Sequence, residues 1–201
     1  MRGKSKLKVY VIRHGESESN RDLVWTGWCD VHLTEKGRAE AAHAGKMLEN
    51  VGFDKIYTSD LLRARETAEA AIVGCEYECS ALLREVNVGD LAGKPVSCVD
   101  SVMRQKFAAD GYGSVGGESH ADFSARVREF MKKLENSDCQ KVAIFSHAGW
   151  LRTMLDEIMG VTLSRKHLLC SNCAIGIFDY SDGVWKMSGW INPSENDIDA
   201  F

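Results

Sequence analysis

A three-layer α/β/α sandwich around a mainly parallel sheet is the fold class this chain predicts. Short apolar runs alternate with longer amphipathic segments, the pattern of strand–helix–strand units. Two of the runs, Val9-Tyr10-Val11-Ile12 and Val142-Ala143-Ile144-Phe145, are each followed within two residues by a histidine, His14 and His147. In an open parallel sheet, the loops at the carboxyl ends of the strands face one crevice. Residues far apart in sequence can meet there.

Each element has its own signal. Residues 8–12 read as the first strand. Thr34 opens a helix through residue 50, with Ala39, Ala42, Met47 and Leu48 among its apolar positions. Residues 55–58 form a short strand, and Ser59 is expected to cap a helix reaching residue 73. Residues 76–79 read as another strand. Ser119 with Asp122 resembles a capping box that opens a helix to residue 135. Residues 141–146 are a strand and residues 149–159 a helix. Residues 174–180 and 184–190 read as a closing hairpin turned at Ser181-Asp182-Gly183. Residues 93–117 are the candidate lid or inserted helix, and the polar, acidic residues 192–201 a loose tail. The expectation is one domain over residues 1–201.

Composition narrows the function. The chain has 201 residues, 44% apolar and 27% charged, with a formal net charge of -4. No basic face is available for a general nucleic-acid binder. A small anion is still admissible, because a few arginines in a cleft can hold one. No apolar stretch approaches the roughly 20 residues that span a bilayer. The basic start, residues 1–8, is followed by an apolar run too short for a secretory signal, so a cytoplasmic location and no membrane partner are expected. Seven cysteines without regular spacing favour reduced thiols over a disulfide framework. His167, Cys170 and Cys173 could offer three zinc ligands, but no fourth accompanies them, and no metal is expected.

The residues around the two histidines suit phosphoryl chemistry. Arg13 beside His14 supplies bidentate donors for phosphate oxygens, and Gly15 lets backbone approach a ligand. Glu16 and Ser17 start a turn whose amides could face the same pocket. Arg63 and Arg65 lie about 200° apart on a helix, so one of them faces the crevice. Arg63, one turn past the strand end, is the better candidate. After His147, Ala148 and Gly149 remove bulk where an anion would sit, at a helix N-terminus with partial positive charge. Glu85 is the candidate general acid for a leaving alcohol, with Asp90 as runner-up. His32, His43, Trp25 and Trp28 read as structural, whereas His120 and Glu118 could touch a substrate.

These blocks, in this order, resemble the histidine phosphatase superfamily, also called the phosphoglycerate mutase-like family. The resemblance rests on Arg13 to Glu16 with Asn20, the stretch from Thr26 to Gly37, and Ser59 to Ala68. It continues through Leu83-Arg84-Glu85 with Gly89-Asp90, then Gly116-Gly117-Glu118-Ser119, and ends at Ser146 to Gly149. It implies a phosphohistidine on His14, with Arg13, Arg63 and His147 on the phosphoryl group and Glu85 as proton donor. Asn20, Thr26, Gly27 and Ala148 complete the implied phosphate-binding set. No cofactor and no metal are implied, the partner is a small phosphorylated metabolite, and a homodimer is common among proteins of this kind.

The family contains both hydrolases and mutases. The cofactor-dependent mutases place a tyrosine between the acid block's glutamate and glycine, where this chain has Val88. Their insertion also carries adjacent arginines for the substrate carboxylate. Residues 93–116 here offer only Lys94, Arg104 and Lys106 as cations. The resemblance therefore favours a phosphatase, with mutase as the alternative and an inactive binding relative as a third reading.

Overall fold

The computed structural model describes residues 6–162 and 168–193. A sheet of six strands has β1 (Leu7–Arg13), β2 (Lys55–Ser59), β3 (Glu78–Ser80), β4 (Lys141–Ser146), β5 (Ile175–Ser181) and β6 (Val184–Ile191) in the order β3-β2-β4-β1-β5-β6. The contacts of β1 with β4, β2 with β4 and β2 with β3 are parallel. β5 and β6 close the sheet as an antiparallel hairpin beside β1. The parallel half with one antiparallel edge matches the expected class.

Alternation along the strands divides the core into two layers. Val9 and Val11 of β1, with Val142 and Ile144 of β4, face α5 (His120–Glu135) and α6 (Ala148–Met159). Ile12, with Ala143 and Phe145, faces α2 (Glu35–Leu48) and α3 (Leu62–Ala71). Central strands buried on both faces read as unbroken apolar runs, which is why they were visible in the sequence.

Several boundaries differ from the sequence expectation. The helix after β2 starts at Leu62, its N-cap is Leu61, and no side chain caps it. Ser59, expected as the cap, sits three residues before that start, still on the strand. Its hydroxyl meets His147 instead. The third strand runs Glu78–Ser80 rather than 76–79. A four-residue helix α1 (Glu18–Arg21) follows Ser17, where a turn was expected, and Ser17 with Asn20 forms its capping box. Ser119 caps α5 as expected.

The candidate lid, residues 93–117, contains α4 (Ser101–Asp110) and short 3-10 turns. It has a core of its own, in which Val99, Phe107 and Tyr112 pack on Val88 and Leu91, with Trp25 against them. The ladder contact between Val24 and Pro95 ties it to the loop after α1. No helix among the described residues is long and apolar enough to cross a membrane. Most of the expected tail, and His167 of the cysteine cluster, lie outside the described residues.

Candidate active site

β1 and β4 are adjacent, parallel and in register, with Arg13 opposite Ser146. His14 and His147 immediately follow the two strands, and the amide of His14 donates to the Ser146 carbonyl at 2.9 Å. Their ring centroids are 5.2 Å apart, close to edge-on. The sequence expectation that two strand ends share a crevice is met by direct neighbours.

Hydrogen bonding fixes the tautomer of His14. Nδ1 lies 2.7 Å from the Gly15 carbonyl oxygen, which can only accept, so Nδ1 carries the proton. The Nε–H of Arg63 donates to His14 Nε2 at 3.3 Å, so Nε2 presents a lone pair. The residue is 5% exposed. Burial, then the guanidinium groups of Arg63 and Arg13, hold its pKa well below the ordinary 6.5. The ring is neutral, and its Nε2 lone pair is oriented.

Arg63 is almost wholly buried, an unusual place for a cation. Burial lowers its pKa to about 10, with Glu85 and Asp30 acting against the shift. Its two terminal nitrogens donate to the carbonyls of Gly27 at 2.9 Å and Cys29 at 3.0 Å. Gly27, at φ +50°, takes the left-handed conformation that the tight turn needs, and a Cβ there would meet Val88 Cγ2 at 2.7 Å. The loop of residues 26–29 is thus wedged between Arg63 and the segment carrying Glu85. Arg65 lies elsewhere, near Cys79 and Tyr77.

Arg13 donates to the Cys170 carbonyl at 2.6 Å, and its Nε is buried with no partner among the described residues. His147 is fully buried, and its pKa is lowered by burial first, then by Arg63 and His14. Its Nε2 lies 2.9 Å from Ser59 Oγ, while Nδ1 has no partner among the described residues. The amide of Leu61 donates to the same Oγ at 3.3 Å, and Nε2 is the acceptor within reach of the hydroxyl proton among the described residues, so Ser59 donates to it. Nδ1 then carries the ring proton and is a buried donor without a partner among the described residues. Buried polar atoms are normally paired, so orphaned donors on Arg13 and His147 suit a site built for an anion.

Glu85 reaches the start of α6. Its Oε2 accepts from the Gly149 amide at 3.2 Å and its Oε1 from the Val86 amide at 2.9 Å. A Cβ on Gly149 would stand 2.1 Å from Glu85 Oε1. Gly149, expected with Ala148 to clear space for an anion, clears it for this carboxyl group. Asp90 lies exposed on the next 3-10 turn.

The other expected residues have quieter surroundings. Asn20 Oδ1 accepts from Ser17 and from Asn172, whose amide also donates to the His14 carbonyl at 3.1 Å. Thr26 Oγ1 lies 3.4 Å from the Val24 carbonyl, and Ala148 is half-buried in the first turn of α6. His32 pairs with Glu66, and Trp28 donates from its indole to the Glu85 carbonyl at 2.7 Å. Glu118 and His120, weighed as substrate contacts, turn elsewhere: Glu118 to Arg126 and Asn87, His120 to the Ala108 carbonyl. Sequence reading missed Ser59 and Asn172 as neighbours of the histidines. Ser59 carried a signal that was read as a helix cap, whereas Asn172 carried none.

The sequence matches the model of the histidine phosphatase superfamily (branch 1) over residues 9–193. The chain belongs to this superfamily. The Salmonella paratyphi B protein named "Probable phosphoglycerate mutase GpmB" is 30% identical, with 96% of this chain and 94% of that one covered. Phosphoglycerate mutase from Bacillus anthracis superposes with a TM-score of 0.81 at 23% identity, covering 98% of this chain and 96% of that chain. Phosphoserine phosphatase from Entamoeba histolytica, solved with 3-phosphoglyceric acid, gives 0.80 at 25% identity over 94% and 98%. This superfamily member therefore shares its fold with proteins named both as mutases and as phosphatases.

Proposed function

We propose that this superfamily member is a phosphomonoester hydrolase acting on a small phosphorylated metabolite through a phosphohistidine on His14. The observation that carries the reading is the single tautomer of His14, with Nδ1–H on the Gly15 carbonyl and the Nε2 lone pair turned to Arg63. Nε2 attacks phosphorus in line, the P–O bond to the alcohol breaks, and Glu85 gives its proton to the departing oxygen. Glu85, now a carboxylate, takes a proton from water as the water oxygen attacks phosphorus and the P–N bond to Nε2 breaks. Orthophosphate leaves and the lone pair returns to Nε2.

Arg13, Arg63 and the Nδ1–H of His147 hold the equatorial oxygens, where charge accumulates in the transition state. Asn20, Thr26, Gly27 and Ala148 form the wall around that group. No step requires a metal or an organic cofactor.

Hydrolysis is preferred to transfer because the lid supplies no paired cations for a substrate carboxylate. The guanidinium of Arg104 donates to the carbonyls of Val99 and Val96. Val88, where the mutases that this chain resembles carry a tyrosine, is buried in the lid core. The test is a panel of phosphorylated metabolites scored for released orthophosphate, with interconversion of 3- and 2-phosphoglycerate measured in parallel. Isomerisation outrunning hydrolysis on every substrate would replace the hydrolase reading with the mutase one. Retained hydrolysis in His14→Ala would remove the phosphohistidine.

A further inference from the structure

The motif Gly116-Gly117-Glu118-Ser119 has no place in the chemistry above, yet its acidic residue sits in a dense network. Glu118 and Arg126 face each other at the start of α5, through Arg126 Nε to Oε1 at 2.9 Å and one terminal nitrogen to Oε2 at 2.8 Å. Both side chains are largely buried. A buried forked pair is costly to desolvate, so its remaining donors and acceptors need partners. Among the described residues, the remaining hydrogen-bond partners of these two side chains all belong to one stretch of chain, residues 81–87. Arg126 donates to the carbonyls of Leu82 at 3.1 Å, Arg84 at 2.7 Å and Glu85 at 3.1 Å, with a longer contact of 3.5 Å to Ala81. Glu118 Oε2 accepts from the Asn87 amide at 2.7 Å, and the Glu118 amide donates to the Asn87 carbonyl at 2.9 Å.

Glu85 lies between these two grips. Its own carbonyl takes donors from Arg126 and from the Trp28 indole, and Arg126 also stands over the Trp28 ring at 6.0 Å. The stretch has little regular structure to hold it otherwise, only a three-residue 3-10 turn at Ala81–Leu83. The lid joins the same point. Tyr112 donates its amide to the Glu118 carbonyl, and a Cβ on Gly89 would stand 2.0 Å from the Val115 carbonyl oxygen.

We infer that Glu118 and Arg126 are positioning residues for Glu85, fixing the acid's backbone so that its carboxyl reaches the leaving-group oxygen and coupling that position to the docked lid. This rests on the proposed role of Glu85. The pair acts through the backbone of the acid and touches no substrate.

The test separates leaving groups. An alkyl phosphate needs its departing oxygen protonated, whereas p-nitrophenyl phosphate hardly does. Glu118→Gln and Arg126→Lys are expected to slow the alkyl ester about 10- to 100-fold, the scale of a misplaced catalytic group. The aryl ester should change less than about 3-fold, with KM steady and the folded fraction checked by near-ultraviolet circular dichroism. Lysine keeps the charge of Arg126 but not its fork, so it should not rescue. Glu118→Gln, which retains an acceptor oxygen for Asn87, carries the test alone if Arg126→Lys melts below assay temperature. Equal losses on both esters, or none on either, would overturn the inference. Glu85→Gln is measured beside them. If it shows no split, the general-acid role falls and this proposal falls with it. If only Glu85→Gln shows the split, the acid role stands and the positioning role is lost.

Discussion

Arg63 donates its Nε–H to Nε2 of His14 across 3.3 Å, so the guanidinium rests on the atom proposed to attack phosphorus. A bound phosphoryl group has to take over that donor. Arg63→Lys keeps a cation but cannot serve His14, Gly27 and Cys29 together. kcat/KM for an aryl phosphate should fall about 10²- to 10³-fold, the usual loss for one transition-state donor. Activity within about 3-fold of the parent would remove Arg63 from phosphoryl stabilisation.

Both histidines are held neutral, chiefly by burial and by the nearby arginines, and His147 also by His14. In the unfolded chain each titrates near 6.5. As pH falls below that value the unfolded chain binds protons that the native state refuses. Their stabilising contribution is therefore complete above the unfolded pKa and is lost progressively down to the depressed native values. The urea midpoint of the parent should drop between about pH 7.5 and 5, and that of His147→Gln should drop less. Parallel drops would mean that other groups govern the acid side.

Gly149→Ala should act on the acid from across the crevice. Its new Cβ would overlap Glu85 Oε1, so the carboxylate must leave the α6 amide. Alkyl ester turnover should fall about 100-fold while the aryl ester falls far less, because only the former needs the proton. Equal slowing of the two esters would show that the substitution disturbs the phosphate site instead.

Ser59→Ala removes the hydroxyl that sets the tautomer of His147. Vanadate affinity is expected to weaken about 10-fold, the worth of one well-aligned hydrogen bond. Nitrogen-15 shifts of His147 in the vanadate complex report the cause directly. The parent should show a proton on Nδ1, and the variant a mixture of tautomers. An unchanged spectrum in the variant would dismiss Ser59 from this role.

Much of this was legible in the chain. The central strands announced themselves because burial on both faces leaves no polar position inside them, and the histidines stood at their ends. Helical phase allowed only one of Arg63 and Arg65 to face the crevice, and nearness to the strand end picked out Arg63. Ser59 misled because a serine just before a helix has the composition of a cap, and only the helix start at Leu62 shows that it is too early. The Glu118–Arg126 grip on residues 81–87 was invisible, since its partners lie 31 to 45 residues apart and depend on where α5 begins relative to the sheet. The separate core around residues 93–117 was equally hidden, because four of its five main residues sit in or beside short 3-10 turns with no period to read, and only Phe107 comes from a helix.

The register of β1 with β4 has an evolutionary meaning. Two neighbouring strands in the middle of a sheet cannot drift apart without tearing the ladder that folds the domain. The spacing between His14 and His147 is therefore inherited from backbone pairing and does not depend on the loops around it. Insertions, deletions and replacements within residues 93–117 leave the strand pairing that sets this distance untouched. A scaffold of this kind can exchange substrates many times without having to reinvent its chemistry.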